Sequence, residues 1–133
     1  MKSFVTWLVI HVVLFAAILF GGKWWMSQNP ERIIVAVDSS FDMAKDWTKV
    51  KSRIDEMDNN PGPYTVFALV TDKNQVHGWQ KTLDLGNAVA FGPRALDALK
   101  DEARYPLVDE ATKRILITNA DKPGISGWTV VRP

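Results

Sequence analysis

The stretch DSSFD, residues 38–42, sets carboxylates and hydroxyls side by side directly after the apolar run IIVAV, residues 33–37. Similar groups end two other apolar segments. Thr71 and Asp72 follow YTVFALV, and Thr118, Asn119 and Asp121 follow KRILI. Carboxylate and hydroxyl oxygens are the ligand set of a hard cation such as Mg²⁺. Asp38 and Asp42 around such an ion would also suit metal-dependent hydrolysis. An aspartate nucleophile is a third chemistry, but no lysine or second-aspartate pattern accompanies it. The plain alternative is a turn: a serine with an acidic residue three positions on resembles a capping box, and Asp42 suits a helix N-terminus.

The chain has no cysteine, which removes disulfides, thiolate metal sites and thiol catalysis together. His77 has no partner at a zinc-ligand spacing, so it reads as a surface histidine. No nucleophile elbow, phosphate-binding loop or dinucleotide fingerprint is present. Lys+Arg total 16 and Asp+Glu 15, a net charge of +1, and no strong field draws the chain to nucleic acid.

Residues 4–22, FVTWLVIHVVLFAAILFGG, carry no charged side chain. Their length is close to the roughly 20 residues that cross a bilayer, and KWW follows, with tryptophans suited to the headgroup level. A cleavable signal is the rival reading, but its apolar region is usually about 7–15 residues and ends in a small-x-small site. An uncleaved anchor over residues 1–25 is therefore expected. The few residues before the span favour a cytoplasmic N-terminus with the following domain exported to the periplasmic side. Lys2 before the span and Lys23 and Arg32 after it decide little. His11 lies near the middle of the span, where ionisable groups count as functional candidates. It could ligate haem or a chlorin, or bond a neighbouring helix.

The elements that must place the oxygen cluster follow from periodicity. A linker over 26–31 leads into a strand at 33–37, apolar throughout, as in a parallel sheet covered on both faces. Met43, Trp47, Val50, Ile54 and Met57 recur at helical spacing, and DNNPGPY ends that helix. Residues 64–72 and 74–80 read as strands joined by a DKN turn. Leu96, Leu99 and Ala103 predict a helix from Pro93 onward, with a shorter one before it. Strands at 113–121 and 127–131 close the chain. Helices between apolar strands predict an α/β domain over 32–133, with a mainly parallel sheet and helices on both faces. Ligands in such sheets gather at the carboxyl ends of the strands, where the oxygen cluster falls.

With these residues in place, the chain resembles the von Willebrand factor A-type (vWA-like) domain over roughly residues 32–131. That family carries Asp-x-Ser-x-Ser after its first strand. Asp38 and Ser40 match, and Asp42 stands in place of the second serine. TLDLGNAVA, from Thr82, is similar to the family's threonine-bearing loop, and ITNAD to its T-D-G strand end, with Asn119 for an aspartate. The resemblance implies a metal-ion-dependent adhesion site formed by Asp38, Ser40, Asp42, Thr82 and Asn119, holding Mg²⁺ or another divalent cation with one position open to an acidic group on a partner. The expected function is a single-pass membrane-anchored accessory subunit whose domain docks onto a larger membrane complex or an exported partner. The alternatives are a metal-dependent hydrolase and a haem or pigment subunit built on His11.

Overall fold

A computed structural model describes residues 1–133 as two compact units, 1–30 and 31–133. The first is one helix, α1 (Lys2–Gln28), 27 residues long. Its mean hydropathy of 2.4 makes it long and apolar enough to cross a membrane. At about 1.5 Å per residue it spans roughly 40 Å. It runs past the expected anchor boundary, because nothing before Pro30 breaks the helical pattern. The linker accordingly shrinks to Asn29 and Pro30.

The second unit is built on a five-stranded sheet. Its strands are β1 (Glu31–Val37), β2 (Thr65–Thr71), β3 (Gln75–Gln80), β4 (Lys113–Ile117) and β5 (Thr129–Val131). Their spatial order is β3-β2-β1-β4-β5. β1 lies parallel to both β2 and β4, and β5 parallel to β4; only β3 runs antiparallel, as the short hairpin from β2 requires. The expected mainly parallel sheet is therefore present, and β1 lies at its centre.

Alternation along the buried strands feeds two cores. Val35, Val37, Phe67, Leu69, Ile115 and Ile117 point to one face, with Met43, Val50 and Ile54 packed on them. Ile34, Ala36, Ala68, Val70 and Leu116 point to the other, under Leu96, Leu99, Tyr105 and Val108. The first face is covered by α2 (Trp47–Asn59), entered through a 3₁₀ turn at Phe41–Asp46. Leu83 and Leu85, from the loop after β3, complete that cover. Trp47 packs against this core, but its ring N–H is buried without a partner. Trp47→Ala is expected to cost about 3 kcal/mol, the low end for truncating a core aromatic, since Trp47 is only partly buried. Trp47→Phe should stay within roughly 1 kcal/mol of the parent, because it removes the unpaired donor along with some apolar contact. Urea unfolding of the two variants measures both.

The long helix expected from Pro93 does not form. A 3₁₀ turn spans Leu96–Lys100, and α3 (Leu107–Glu110) is a single turn. The Asp101 carboxylate accepts from the Ala103 and Arg104 amides and so bends the chain where a helix would continue. Pro106 then starts a new turn. The shorter helix before Pro93 is also absent: residues 86–95 are irregular, with Gly92 at φ 73°. The second face of the sheet is thus covered by short turns, Tyr105 and Trp128 rather than by a full helix.

Candidate functional site

The parallel strands bring Asp38, Asp72 and Thr118 to one edge of the sheet. β1, β2 and β4 end in register there, Val37 pairing with Thr71 and with Ile117. Asp38, Ser39, Ser40, Asp72 and Thr118 are all buried. Two adjacent carboxylates with almost no solvent contact need compensating charge and hydrogen bonds, because an unpaired buried ion is prohibitively costly.

Each is compensated from within the chain. Asp38 Oδ2 accepts from Arg94 Nε at 2.7 Å and from Thr118 Oγ1 at 2.7 Å. Its Oδ1 accepts from the Ser40 amide at 3.1 Å. Asp72 Oδ1 accepts from the Ser39 hydroxyl at 2.6 Å and the Ser39 amide at 3.1 Å. Lys73 Nζ bridges both Asp72 oxygens at 3.0 and 3.1 Å, and the Ala95 amide donates to Oδ2 at 3.0 Å. Burial alone would push the Asp72 carboxyl up. The hydrogen bonds from Ser39, Ala95 and Lys73 outweigh it and hold the group below the usual aspartate value.

Arg94 also ties in the end of β4. Its Nη2 donates to Asn119 Oδ1 at 2.6 Å, and Asn119 Nδ2 donates to the Asp42 carbonyl at 2.8 Å and to Asp46 Oδ2 at 3.1 Å. The Asn119 bond is the largest influence on Asp46 and lowers its carboxyl from the ordinary value. The Asp42 carboxylate is itself 74% exposed, with Oδ2 3.8 Å from Arg94 Nη1.

The loop that delivers Arg94 is pinned to the DSSFD turn by backbone. The Phe91 amide donates to the Ser39 carbonyl at 2.7 Å, and the Phe41 amide to the Gly92 carbonyl at 2.9 Å. These bonds set Phe41 and Phe91 on neighbouring segments, and with Val89 they stand exposed above the carboxyl edge. Lys73 Nζ lies 5.2 Å from the Phe91 ring centre. A cleft of about 290 Å³ adjoins Phe91, Val89 and Asn74, and a second of about 480 Å³ is lined by Phe41, Asp42, Ala44, Lys45, Arg94 and Asn119.

Of the residues expected to hold a cation, Asp38 and Asn119 both bond Arg94, Asp42 lies 3.8 Å from it and the Ser40 amide bonds Asp38, but Thr82 is elsewhere. Thr82 follows β3, which runs back to the amino edge of the sheet. It is exposed there, accepting from Gln80 Nε2 at 3.3 Å, and the next amide, Leu83, donates to Asp58 at the end of α2. The antiparallel hairpin makes this placement unavoidable. The donor set does not fit a divalent cation as it stands, because the Arg94 guanidinium occupies the position between Asp38 and Asn119. No group of three or more His, Asp or Glu side chains converges as a metal site. One feature of a cation site survives: the Ser40 hydroxyl is buried with no hydrogen-bond partner. EDTA, or Mg²⁺ at about 5 mM, is expected to move the melting temperature by less than about 1 °C; binding at a hundredfold excess over Kd would add about 2.7 kcal/mol and several degrees.

Of the remaining candidates, Asp121 is exposed beyond the cluster. His77 places Nδ1 2.8 Å from the Gly78 carbonyl, while Nε2 accepts from the Asp84 amide at 3.2 Å, so both ring nitrogens serve the local fold. His11 lies on the exposed surface of α1, its Nδ1 2.8 Å from the Trp7 carbonyl and its ring 5.1 Å from the Trp7 ring. Donation to Trp7 leaves Nε2 as the open ring nitrogen. Arg94 and Lys73 were not among the sequence candidates. The signal that could have found them is the need of two buried aspartates for neighbouring cations.

Compared with known protein families, with curated proteins and with solved structures, the chain has no match. What the structure defines is a class: a mixed, mostly parallel α/β domain with a polar cluster at its carboxyl edge, preceded by an apolar helix of membrane-spanning length.

Proposed function

We propose that the chain is a single-pass membrane-anchored binding subunit, held at the bilayer by α1 and docking a protein partner at the carboxyl edge of its vWA-like sheet. The observation that carries this reading is the exposed ridge of Phe41, Val89 and Phe91, set over that edge by the backbone bonds of Ser39, Phe41 and Gly92. Within residues 31–133, Val130 is the one other exposed large apolar side chain. Apolar side chains clustered on a soluble domain mark interaction surfaces, and aromatic residues are enriched at the cores of interfaces. The domain's first residue, Glu31, sits at the opposite end of β1, roughly 20 Å away at about 3.3 Å per residue. The ridge thus lies at the other end of β1 from the domain's first residue.

Binding is favoured over hydrolysis because Asp38, one of the two carboxylates that hydrolysis would use, is engaged by internal donors, which leaves only the exposed Asp42. A hydrolytic aspartate needs a lone pair aimed at a substrate or a water.

A photo-crosslinking amino acid placed at position 41, 89 or 91 of the full chain in membranes tests the proposal. The expected result is one discrete crosslinked protein from all three positions and none from position 60, at the amino edge. Equal crosslinking from position 60, or none anywhere, would count against it. Release of the full chain by alkaline carbonate would remove the anchor.

A further inference from the structure

We infer that α1 is a self-association surface: two copies lie side by side and parallel in the bilayer, each Trp7 indole N–H donating to His11 Nε2 of the other copy. This rests on the reading of α1 as a membrane span and is independent of the ridge on the α/β domain.

Residues 4–22 hold three polar side chains, Thr6, Trp7 and His11. His11 lies roughly 3 Å from the midpoint of that stretch, at about 1.5 Å per residue. Hydrocarbon offers no water, so each polar group must find a partner in protein. The Thr6 hydroxyl donates to the Lys2 carbonyl at 2.8 Å and is satisfied. His11 Nδ1 lies 2.8 Å from the Trp7 carbonyl, an acceptor, so Nδ1 carries the hydrogen. A neutral imidazole has one donor and one acceptor, which leaves Nε2 as a bare acceptor. The Trp7 indole N–H is a bare donor on a side chain that is 63% exposed. The two cannot serve each other within one helix. Their rings are 5.1 Å apart and only 30° from parallel, whereas the N–H and the lone pair lie in the ring planes.

A second copy brings the missing donor and acceptor together, about one helical turn apart. Two-fold symmetry makes the exchange reciprocal, so one contact satisfies both donors and both acceptors. A foreign helix would have to bring a donor and an acceptor at the same two depths. Phe4, Trp7, His11, Leu14, Ile18 and Gly21 recur at alternating spacings of three and four, the seam of a left-handed helix pair. In a parallel pair the position of His11 packs into a hole whose rim includes position 7 of the other chain. An antiparallel pair centred on the same stretch would set Trp7 level with residue 19, about 12 Å past His11. Two His11 rings do not pair with each other, since both Nε2 atoms are acceptors.

The test uses the full chain in phosphatidylcholine vesicles. The chain has no cysteine, so the exposed change Lys122→Cys gives one thiol for a donor or an acceptor dye. Energy transfer is followed as the chain-to-lipid ratio rises. Saturable transfer that unlabelled chain competes away is expected. Trp7→Phe and His11→Phe should each weaken association roughly seven-fold, the effect of two interhelical hydrogen bonds of average strength. The double variant should be no weaker than either, because each single change already removes both bonds. In the same vesicles, oxidation should give disulfide dimers from Leu14→Cys and Ile18→Cys on the seam. Val9→Cys and Ala16→Cys, on the opposite face, should give none. Transfer no higher than for randomly distributed chains, multiplied losses in the double variant, or equal crosslinking from positions 9 and 16 overturns the pairing. So does a Soret band in the purified chain that His11→Phe abolishes, since iron would then hold Nε2. A chain that resists alkaline carbonate yet stays monomeric would defeat the pairing and leave the anchor standing. Release by carbonate would remove both.

Discussion

Arg94→Ala is expected to destabilise the domain by roughly 3 kcal/mol. The substitution removes the cation from Asp38, which has no solvent contact. Breaking a fully buried ion pair costs about 3–5 kcal/mol, chiefly because an uncompensated charge is left behind. The low end applies here, because Arg94 is 29% exposed and water can enter the space it vacates. Asp38 keeps Thr118 and the Ser40 amide, so the carboxylate is not stripped. The loss should lower the melting temperature by more than 10 °C, at about 4–8 °C per kcal/mol for a domain of this size. The double variant Asp38→Asn, Arg94→Ala separates charge from packing. If the pair matters as charge, the double variant should be more stable than Arg94→Ala alone, since no buried charge is stranded. Equal melting of the parent and Arg94→Ala would show that the guanidinium does not neutralise Asp38.

That ion pair was invisible to local pattern, whereas the strands around it were not. β1, β2 and β4 each contain a short continuous apolar run, residues 33–37, 66–70 and 115–117, as strands covered on both faces do. α2 was legible from the spacing of Met43, Trp47, Val50 and Ile54, and each of them does pack on the sheet. The segment from Gly86 to Pro106 misled because its leucines recur at helical spacing while its punctuation forbids a helix. Gly92 takes a positive φ, and the Asp101 side chain captures the amides that would continue the turn.

Thr82 was placed by resemblance rather than by geometry. The DKN hairpin already dictated that the chain after β3 arrive at the amino edge, far from Asp38. The cluster itself was half legible. Strand ends gave Asp38, Asp72, Thr118 and Asn119 their common edge, but the partners Arg94 and Lys73 come from a loop and a turn with no periodicity. Arg94 meets Asp38 across 56 positions of sequence. Pairing at that range is set by the fold, so only the demand of a buried carboxylate for a cation pointed to it.

Asp72→Asn is expected to be at least as damaging as loss of Arg94, and its pH dependence identifies the cause. Every partner of Asp72 is a donor: the Ser39 hydroxyl and amide, the Lys73 ammonium and the Ala95 amide. An ionised carboxylate has only acceptors to offer. Asparagine turns one oxygen into an NH₂, which must face either the Ala95 amide or the Ser39 pair, and it leaves the Lys73 charge uncompensated. A lost charged hydrogen bond costs about 1.5–3 kcal/mol and a stranded donor about 1–3 more, so a total near 4 kcal/mol is expected. The sign with pH follows from the lowered Asp72 carboxyl. Unfolded, the group titrates near the ordinary aspartate value of about 3.9; folded, it titrates lower. The unfolded state therefore binds more protons between the two values, and stability rises with pH there. The contribution of Asp72 is fully present above about pH 5 and is lost as pH falls through the folded value. The parent should lose stability steeply on acidification from pH 5 to pH 3, while Asp72→Asn, already deprived of the charge, should show a shallower slope. Urea unfolding of both chains at several pH values in that window measures it. Parallel curves would assign the acid sensitivity to other carboxylates and reduce Asp72 to an uncharged hydrogen-bond acceptor.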